Sequence, residues 1–392
     1  MKTPKNSVKI ALPFEAYSYY IAIIFKTTNM SFLGKMFGGK ESASIIDNHS
    51  FWKWFTENEK TFFKIIKKGE QIDEKFLQAV MKRLQQINGQ LYCLTGMFDE
   101  NTAELVITPE GDVKTIVFAE ELVAAAPPLQ GWKFTALKPA IGFDGISIEM
   151  DGYKFDNNTI SFFSTSQPDY PDEIEITLVH KDFNDEDETI LSNGCMIYLD
   201  NALGELKAAT QIDLLKVTGT TPAGTELIPI EKLETFLQWR EKEFLEKYAG
   251  TRRDTENDPY YSMEAQDENG LPVLAILNQE LMEWDSKASH PWLLLIEIKY
   301  DGENNNGMPD DDTYQLMDEF EDKLIKELPD AEGYLNIGRE THNSTRTIYF
   351  ACKEFRKSSK TTHMLIEEYA EKLEASYNIY KDKYWITLNK FK

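Results

Sequence analysis

The chain has 392 residues, with 42 Lys and Arg against 66 Asp and Glu, and its net charge is -24 at pH 7. This charge opposes binding to nucleic acid phosphates and to anionic lipid, because both need clustered basic residues. Hydrophobic residues make up 42% of the chain and aromatic residues 12%, which is enough to build real cores. We therefore expect a folded cytoplasmic protein that binds neither nucleic acid nor membrane and that suits a basic partner.

Residues 1–49 are predicted to form a leader outside the fold. An apolar run over 10–25 contains a proline and a glutamate, and it is shorter than the roughly 20 residues of a spanning helix. Met30 opens a stretch that looks like an ordinary cytoplasmic start, so residues 1–29 are interpreted as an upstream extension. A secretory signal is the alternative, although no small-x-small cleavage pattern follows the run.

The stretch GKMFGGKES, residues 34–42, matches the opening of the phosphate-binding loop G-x-x-x-x-G-K-[ST] at Gly34, Gly39 and Lys40. The eighth position is Glu41, whose carboxylate would repel phosphate where the motif needs a hydroxyl group for magnesium. The sequence before the loop does not have the pattern of a strand. The match is therefore interpreted as a coincidence, and no cofactor is predicted.

Residues 50–250 are predicted to form an N-terminal α+β region, with a sub-boundary near residue 140 as one option. Apolar residues at helical spacing predict helices over 51–68 and 72–87. Alternating patterns then predict two strands, a short helix and a third strand. A more β-rich stretch follows from residue 143, and an amphipathic helix is predicted at 230–248.

Residues 251–290 are polar and rich in turn-forming residues, which predicts a linker and connecting segment. Residues 291–392 then read strand, helix, strand, strand, helix, strand, the order of a ferredoxin-like module. Its second helix is predicted at 358–377 and its last strand at 383–391. The predicted fold class is thus α+β, with a ferredoxin-like β-α-β-β-α-β C-terminal module preceded by one or two related α/β modules.

The C-terminal sequence resembles a bacterial family, the domain of unknown function 695, over about residues 258–392. The resemblance rests on PWLLLIEIKYDG, GMPDDDTYQLMDEFEDKL, TRTIYFACK and DKYWITLNKF, and the preceding region resembles the segment that usually accompanies this domain. Its best markers are Gly307, Pro309, Glu321, Asp322 and Trp385. The resemblance implies no activity. Some relatives are joined to a domain similar to the regulator of ribonuclease E activity B, a small acidic inhibitor, which is a fold-level analogy.

No residue is assigned a catalytic, cofactor-binding or metal-binding role. The acidic stretch DGENNNGMPDDD fails the calcium-loop spacing, because positions six and twelve are Asn306 and Asp312 instead of Gly and Glu. Its three last aspartates are interpreted as the start of a helix, with irregular cation binding as the alternative. The histidines lack zinc spacing and the cysteines are predicted to be buried thiols in a reducing compartment: His49, His180, His290, His342, His363, Cys93, Cys195 and Cys352.

Two further features have simple interpretations. The Arg252-Arg253 pair is predicted to be solvated in the linker, and the Trp52/Trp54 pair is predicted to be core and helix anchor instead of a binding platform.

The sequence therefore predicts a non-enzymatic, protein-binding regulator or inhibitor of a basic partner. The charge favours encounter with a cationic protein, and small α/β sheets offer helix-free faces and edge strands for docking. An immunity protein against a secreted nuclease and a ribonuclease regulator both fit. The alternative is an enzyme of unknown reaction whose site is assembled from distant residues.

Overall fold

The computed structural model describes residues 9–11 and 47–392. These residues combine helices with four β-sheets, so the α+β class predicted from the sequence is confirmed. The chain divides into two compact units. Of the described residues, the N-terminal unit holds 9–11, 47–168 and 173–241, and the C-terminal unit holds 169–172 and 242–392.

The N-terminal unit consists of strands and helices, and residues 242–247 of its last helix are counted with the C-terminal unit. In chain order the elements up to the division are β1 (Lys9–Ala11), α1 (Asn48–Lys68), α2 (Gln78–Ile87), β2 (Tyr92–Met97), β3 (Ala103–Thr108), α3 (Val113–Ala124), β4 (Trp132–Ala136), β5 (Ser147–Met150), β6 (Tyr153–Phe155), β7 (Ile160–Thr165), β8 (Glu175–His180), α4 (Glu188–Leu203), α5 (Glu205–Gln211), β9 (Leu214–Thr218), β10 (Ile228–Pro229) and α6 (Leu233–Lys247).

Two sheets of this unit share one topology. Strands β2 and β3 are antiparallel, and β4 joins β3 in parallel after helix α3. Strands β7 and β8 are likewise antiparallel, and β9 joins β8 in parallel after helices α4 and α5. The second sheet has one addition, the two-residue strand β10 beside β7.

The predicted leader falls mostly outside the described residues, and so does the loop-like stretch 34–42. One part of it differs from the prediction that it lies outside the fold. Strand β1 pairs antiparallel with β5, which pairs on its other side with β6. Strand β5 is thus the central strand of a three-stranded sheet, and β1 supplies the backbone partners at the edge of the β5–β6 hairpin.

Helix α1 fixes the aromatic core of the first sheet. Its N-cap is Asp47, whose side chain accepts a hydrogen bond from the Ser50 amide at 2.7 Å. Trp52 and Phe55 are buried on its apolar stripe, and the Trp52 indole N–H donates to the Leu122 carbonyl at 2.6 Å. Trp52 is therefore a core residue.

The C-terminal unit is built on one sheet. Its further elements are β11 (Tyr260–Gln266), β12 (Pro272–Asn278), α7 (Gln279–Glu283), β13 (Trp292–Lys299), α8 (Asp311–Glu327), β14 (Tyr334–His342), β15 (Thr345–Cys352), α9 (Arg356–Tyr369), β16 (Glu374–Lys381) and a C-terminal 3₁₀ helix (Ile386–Phe391). The strand order is β11-β12-β14-β15-β13-β16, and every pairing is antiparallel.

Both faces of the central part of this sheet are covered. Helices α8 and α9 pack on one face, with Phe320 and Tyr369 in edge-to-face contact at 5.4 Å. On the other face, α7 and the C-terminal 3₁₀ helix bury a cluster that includes Leu293, Trp385 and Leu388. The helix-free face that the sequence suggested as a docking surface is thus occupied by the chain itself.

Strand β14 contains a bulge at Gly338, where its register against β15 shifts. Gly338 has φ +133°, and a Cβ atom there would lie 2.1 Å from the Ile276 carbonyl oxygen. Only glycine lets β12 approach β14 this closely. Gly338 therefore leaves room for β12 beside β14, and β12 in turn pairs with β11.

The segment 251–290, expected to be a linker, contains β11, β12 and α7. Its polar composition has a structural reason. Six of the seven residues of β11 are exposed, and only Tyr261 is half-buried, because the strand lies at the edge of the sheet. An edge strand with exposed side chains on both faces has no apolar alternation to detect.

Two predictions for the end of the chain, the second helix and the last strand, differ from the structure. The second helix of the module ends at Tyr369, not at residue 377, and residues 374–381 form the last strand. Leu373 and Tyr377 continue the helical spacing only by coincidence. Residues 383–391, predicted as the last strand, form a turn and the 3₁₀ helix, since Trp385 adopts a left-handed conformation at φ 55° and ends extended structure there.

Candidate functional site

The family markers Gly307 and Pro309 shape the loop before α8. Gly307 has φ +78°, and a Cβ atom there would lie 2.9 Å from the Asn343 Cα. Its carbonyl accepts from the Ser344 amide at 2.9 Å, which holds the loop against the turn between β14 and β15. Pro309 precedes the N-cap Asp310. The acidic run therefore starts a helix, as the sequence predicted.

The marker Glu321 belongs to a buried ionic cluster between α8 and the β14–β15 hairpin. It is 3% exposed and accepts from Arg339 Nη1 at 3.0 Å and from Asn336 Nδ2 at 3.3 Å. Burial raises the pKa of Glu321, and the nearby guanidinium groups of Arg339 and Arg346 oppose that shift. Its neighbour Asp322 is exposed.

Arg346 completes this cluster. It is fully buried, donates to Asp318 Oδ1 at 2.6 Å, and lies 4.6 Å from the centre of the Tyr314 ring. Within the described part of the chain its Nη2 atom has no hydrogen-bond partner. Since Arg346 has no solvent access, the cluster joins α8 to the hairpin and offers a ligand no route to the guanidinium. No sequence signal predicted these pairings, because Glu321 and Asn336 are 15 residues apart and Asp318 and Arg346 are 28 residues apart.

A second buried carboxylate, Glu205, lies in the N-terminal unit. It accepts from the Thr108 hydroxyl at 2.7 Å, the Gly111 amide at 2.7 Å and the Lys138 amide at 3.0 Å. These groups lie where β3 and β4 end and α3 begins, the place where parallel sheets commonly bind ligands. Burial raises the pKa of Glu205, and its hydrogen bonds oppose the shift. The side chain of Glu205 itself fills this position.

The histidines are distributed over separate environments. His180 is buried with both ring nitrogens engaged, Nε2 with the Lys154 carbonyl at 3.0 Å and Nδ1 with the Asp182 amide at 3.2 Å. Burial lowers the pKa of His290 to about 3, with Lys353 adding to the effect, so this ring is neutral at physiological pH. The other three histidines lie in α1, β14 and α9: His49, His342 and His363.

The three cysteines are free and buried, as expected from their apolar surroundings. Burial raises the pKa of all three, to about 12 for Cys195, so none is a thiolate at neutral pH. Within residues 9–11 and 47–392, no group of three or more His, Cys, Asp or Glu side chains is arranged to hold a metal ion.

The arginine pair before β11 differs from its prediction. Arg252 is exposed, but Arg253 is half-buried and donates from Nη2 to Asp258 at 2.6 Å. The carboxylate of Asp258 also accepts from Asn278 Nδ2 at 3.0 Å. Arg253 is therefore a structural residue that fixes the start of β11 instead of a solvated charge.

Two grooves lie on the surface of the described units. One of about 400 Å³ between α8 and α9 is lined by Glu319, Asp322, Lys323, Glu368, Tyr369 and Lys372. In it Lys323 donates to Glu368 at 2.6 Å. The other, of about 780 Å³ in the N-terminal unit, includes the ion pair of Lys216 and Glu175. Each groove thus holds charges that neutralise one another.

The outer edge of β11 is one of the two edges of the C-terminal sheet, and its backbone is accessible. A tight turn fixes this strand against β12: Gly270, at φ +81°, donates to the Asp267 carbonyl at 3.0 Å, and Asp267 Oδ1 accepts from the Leu271 amide at 2.8 Å. The register then runs without a shift from Tyr260↔Asn278 to Gln266↔Pro272. On its other side β11 has no strand partner among the described residues.

The hydrogen bonds between β11 and β12 show which backbone groups of β11 point away from β12. Gln279 donates to the Pro259 carbonyl and Asp267 to the Leu271 carbonyl, both at 2.9 Å, so these two pairs are hydrogen-bonded. Hydrogen-bonded and non-hydrogen-bonded pairs alternate along an antiparallel ladder. The N–H and C=O groups that point outward therefore belong to Tyr260, Ser262, Glu264 and Gln266.

Apart from the charged side chain of Glu264, strand β11 lacks the devices that usually protect a sheet edge. Its sequence, YYSMEAQ, contains no Lys and no Pro, and its pairing with β12 has no bulge. Apolar side chains on it are accessible, with Tyr260 47% exposed and Met263 36% exposed. The exposed acids on and beside the strand are Asp254, Glu256, Glu264 and Glu268. The result is an open, partly apolar edge in acidic surroundings.

The C-terminal unit is thus a mixed α+β unit whose sheet ends in an open edge. The family that its sequence matches is one of unknown function. The model of that family, DUF695, matches residues 262–391, the C-terminal third of the chain, which confirms the resemblance seen in the sequence. The match begins inside β11 and runs through the 3₁₀ helix. Searches of curated proteins and of solved structures found no match. Every helix in the described ranges is too short or too polar to span a membrane.

Proposed function

We propose that this protein is a non-enzymatic regulator or inhibitor that binds a basic protein, and that the partner docks on the outer edge of β11. The observation that carries the proposal is the open edge itself, a seven-residue strand with outward backbone groups. Extended segments bind such edges by adding a strand, and the main-chain hydrogen bonds supply affinity.

The charge of the partner follows from the charge of the protein. A net charge of -24 accelerates encounter with a cationic protein. The exposed acids Asp254, Glu256, Glu264 and Glu268 surround the edge, so an arriving basic segment meets opposite charge at the docking surface.

The proposal also covers the fold of the modules and the cellular compartment of the protein. We assign residues 291–392 to a ferredoxin-like module for two reasons. Its elements follow the order β-α-β-β-α-β, and its strands lie in the sheet order β14-β15-β13-β16. The shared topology of the β2–β4 and β7–β9 sheets supports the idea of two related modules before it. Three free buried thiols suit a reducing compartment such as the cytoplasm.

The test compares capture by the full chain with capture by two proline variants. Ser262→Pro removes an outward N–H without removing a ladder bond, because proline is tolerated where the N–H faces solvent at an edge. Ala375→Pro is the matched control. The Asp382 amide donates to the Pro291 carbonyl at 2.8 Å, which sets the alternation along β16 and turns the N–H of Ala375 outward at the opposite edge.

We expect a basic protein to be retained from native cells at low salt and released near 1 M salt, where the Debye length falls to about 3 Å from about 10 Å at 0.1 M. Ser262→Pro should lose this protein and Ala375→Pro should keep it. Retention of an acidic partner, or equal retention by both variants, would refute the proposal. Thermal melts of both variants check that they are folded.

A further inference from the structure

We propose that the β11 edge selects an extended segment in which apolar residues alternate with lysine or arginine. This inference rests on the proposed function and adds the sequence pattern of the partner. It follows from the two faces of β11, which present different chemistry to an added strand. Side chains of neighbouring strands point to the same two faces with a period of two residues, so the pattern of β11 sets the pattern of its partner.

One face of β11 continues the core. Tyr261 pairs with Leu277 and Met263 with Ala275, and both of these partners belong to the buried cluster under α7 and the 3₁₀ helix. Tyr261 itself packs against that cluster. Met263 is 36% exposed at its rim. Apolar side chains of an added strand would cover Tyr261 and Met263 and extend this core by one strand.

The other face is acidic and aromatic. Glu264 is exposed and pairs with Leu274, while Tyr260, at the start of the strand, is 47% exposed. A lysine or arginine on this face of the added strand lies beside the Glu264 carboxylate and can stack on the Tyr260 ring. Side chains directly opposite each other on neighbouring strands interact favourably when their charges are opposite and unfavourably when their charges are alike.

Arg339, a cation on this face of the sheet, is already neutralised. Arg339 shares a row of the sheet with Ile276 and Ser262, but its guanidinium is held by Glu321 at 3.0 Å and lies 3.7 Å from Asp318. It therefore does not compete for Glu264. The face stays acidic, and a basic residue in the partner is favoured over an acidic one.

The length of the segment also follows from the strand. The outward groups occur at every second residue from 260 to 266, so one added strand of about seven residues uses all of them. Within that length, residues directed to the core face are apolar and residues directed to the Glu264 face are basic. A segment of the same composition with its charges grouped together cannot place them this way.

The test uses end-blocked synthetic heptapeptides and the full chain, with binding measured by fluorescence anisotropy. The alternating peptide Lys-Val-Lys-Val-Lys-Val-Lys is compared with Lys-Lys-Val-Val-Val-Lys-Lys, which has identical composition and charge. We expect the alternating peptide to bind at least about tenfold more tightly. Ser262→Pro should abolish the difference, Glu264→Gln should weaken the alternating peptide several-fold, and Ala375→Pro should change neither value.

Three results would overturn the inference. Equal binding of the two peptides would mean that charge alone attracts them. Tighter binding of Glu-Val-Glu-Val-Glu-Val-Glu would reverse the assigned charge. A concentration-dependent dimer in sedimentation that Ser262→Pro abolishes would make a second copy of the chain the occupant of the edge. Capture of a basic protein that depends on the β11 edge, together with equal peptide binding, would leave the proposed function standing and remove only the sequence pattern.

Discussion

At the scale of single residues, Asp172 shows how a buried carboxylate stabilises the C-terminal unit. It is 9% exposed, and its carboxylate accepts from Lys247 Nζ at 2.8 Å, Tyr248 Oη at 2.8 Å and Tyr384 Oη at 2.7 Å. Burial alone would raise the pKa of Asp172. The hydrogen bonds from Lys247, Tyr384 and Tyr248 outweigh burial, so the pKa is lowered.

This shift predicts a pH-dependent contribution to stability. A lowered folded-state pKa means that the stabilisation is present above the unfolded value of about 3.8 and is lost as the pH falls through the folded value. We expect Asp172→Asn to lower the free energy of unfolding at pH 7 by roughly 2 kcal/mol. In urea titrations the difference from the wild type should shrink below about pH 4.

The control for this prediction is Asp169→Asn, which changes an exposed aspartate in the same short segment. It should shift the unfolding midpoint little at any pH. A constant difference between Asp172→Asn and the wild type from pH 7 to pH 3 would contradict the assignment, because it would show that packing and not ionisation carries the effect.

The sequence predicted residue roles well where the determinants are local. The aspartates at the start of α8 follow from N-terminal helix preferences, and Asp310 caps the Thr313 amide at 2.8 Å. The partners of Glu321 could not be predicted, since they depend on which strands pair. Arg253 is an intermediate case: Asp258 is only five residues away, but solvation was the simpler reading of two arginines in a polar stretch.

At the scale of elements, apolar patterns in the sequence predicted the helices and strands that are well buried. Helix α8 and strands β13 to β15 carry clear patterns and were predicted. Strand β11 was missed because an edge strand exposed on both faces carries no alternation. The 3₁₀ helix was missed because Leu388 and Phe391, three residues apart, were interpreted as strand residues when they cover the core.

The C-terminal 3₁₀ helix provides a prediction at this scale. Leu388 is 1% exposed and Phe391 is 7% exposed, so deletion of residues 386–392 uncovers one face of the sheet. At about 1.5 to 3 kcal/mol for each of these two apolar side chains, the loss of stability should be roughly 3 to 6 kcal/mol. Denaturant unfolding measures it, and binding of an apolar dye should increase.

Deletion of Lys392 alone is the matched control and should change neither stability nor dye binding, because this residue is exposed at the chain end. If the longer deletion left the free energy of unfolding within about 0.5 kcal/mol of the wild type, the 3₁₀ helix would not be a necessary part of the core. The face that it covers would then be available to a partner, in addition to the β11 edge.

At the scale of the whole molecule, charge is the property that the sequence fixes without any knowledge of the fold. The value of -24 is a sum over the chain, whereas docking depends on where the charge lies. The ionic cluster of Glu321 and Arg346 neutralises its charges internally. The acids beside β11 are exposed and remain available to a partner. Long-range attraction and local recognition can therefore be separated by experiment.

Long-range attraction and local recognition should respond differently to salt. Raising the ionic strength from about 0.02 M to about 0.5 M shortens the range of the attraction, so the association rate constant of the alternating lysine peptide should fall at least about tenfold. Its dissociation rate constant should change much less, because backbone hydrogen bonds and the contacts of Met263 hold the bound strand. Stopped-flow fluorescence measures both rates. A peptide with threonine in place of each lysine is the control, and its association rate should be insensitive to salt. If salt acted mainly on dissociation, or acted equally on both peptides, the charge of -24 would not steer the partner to this edge.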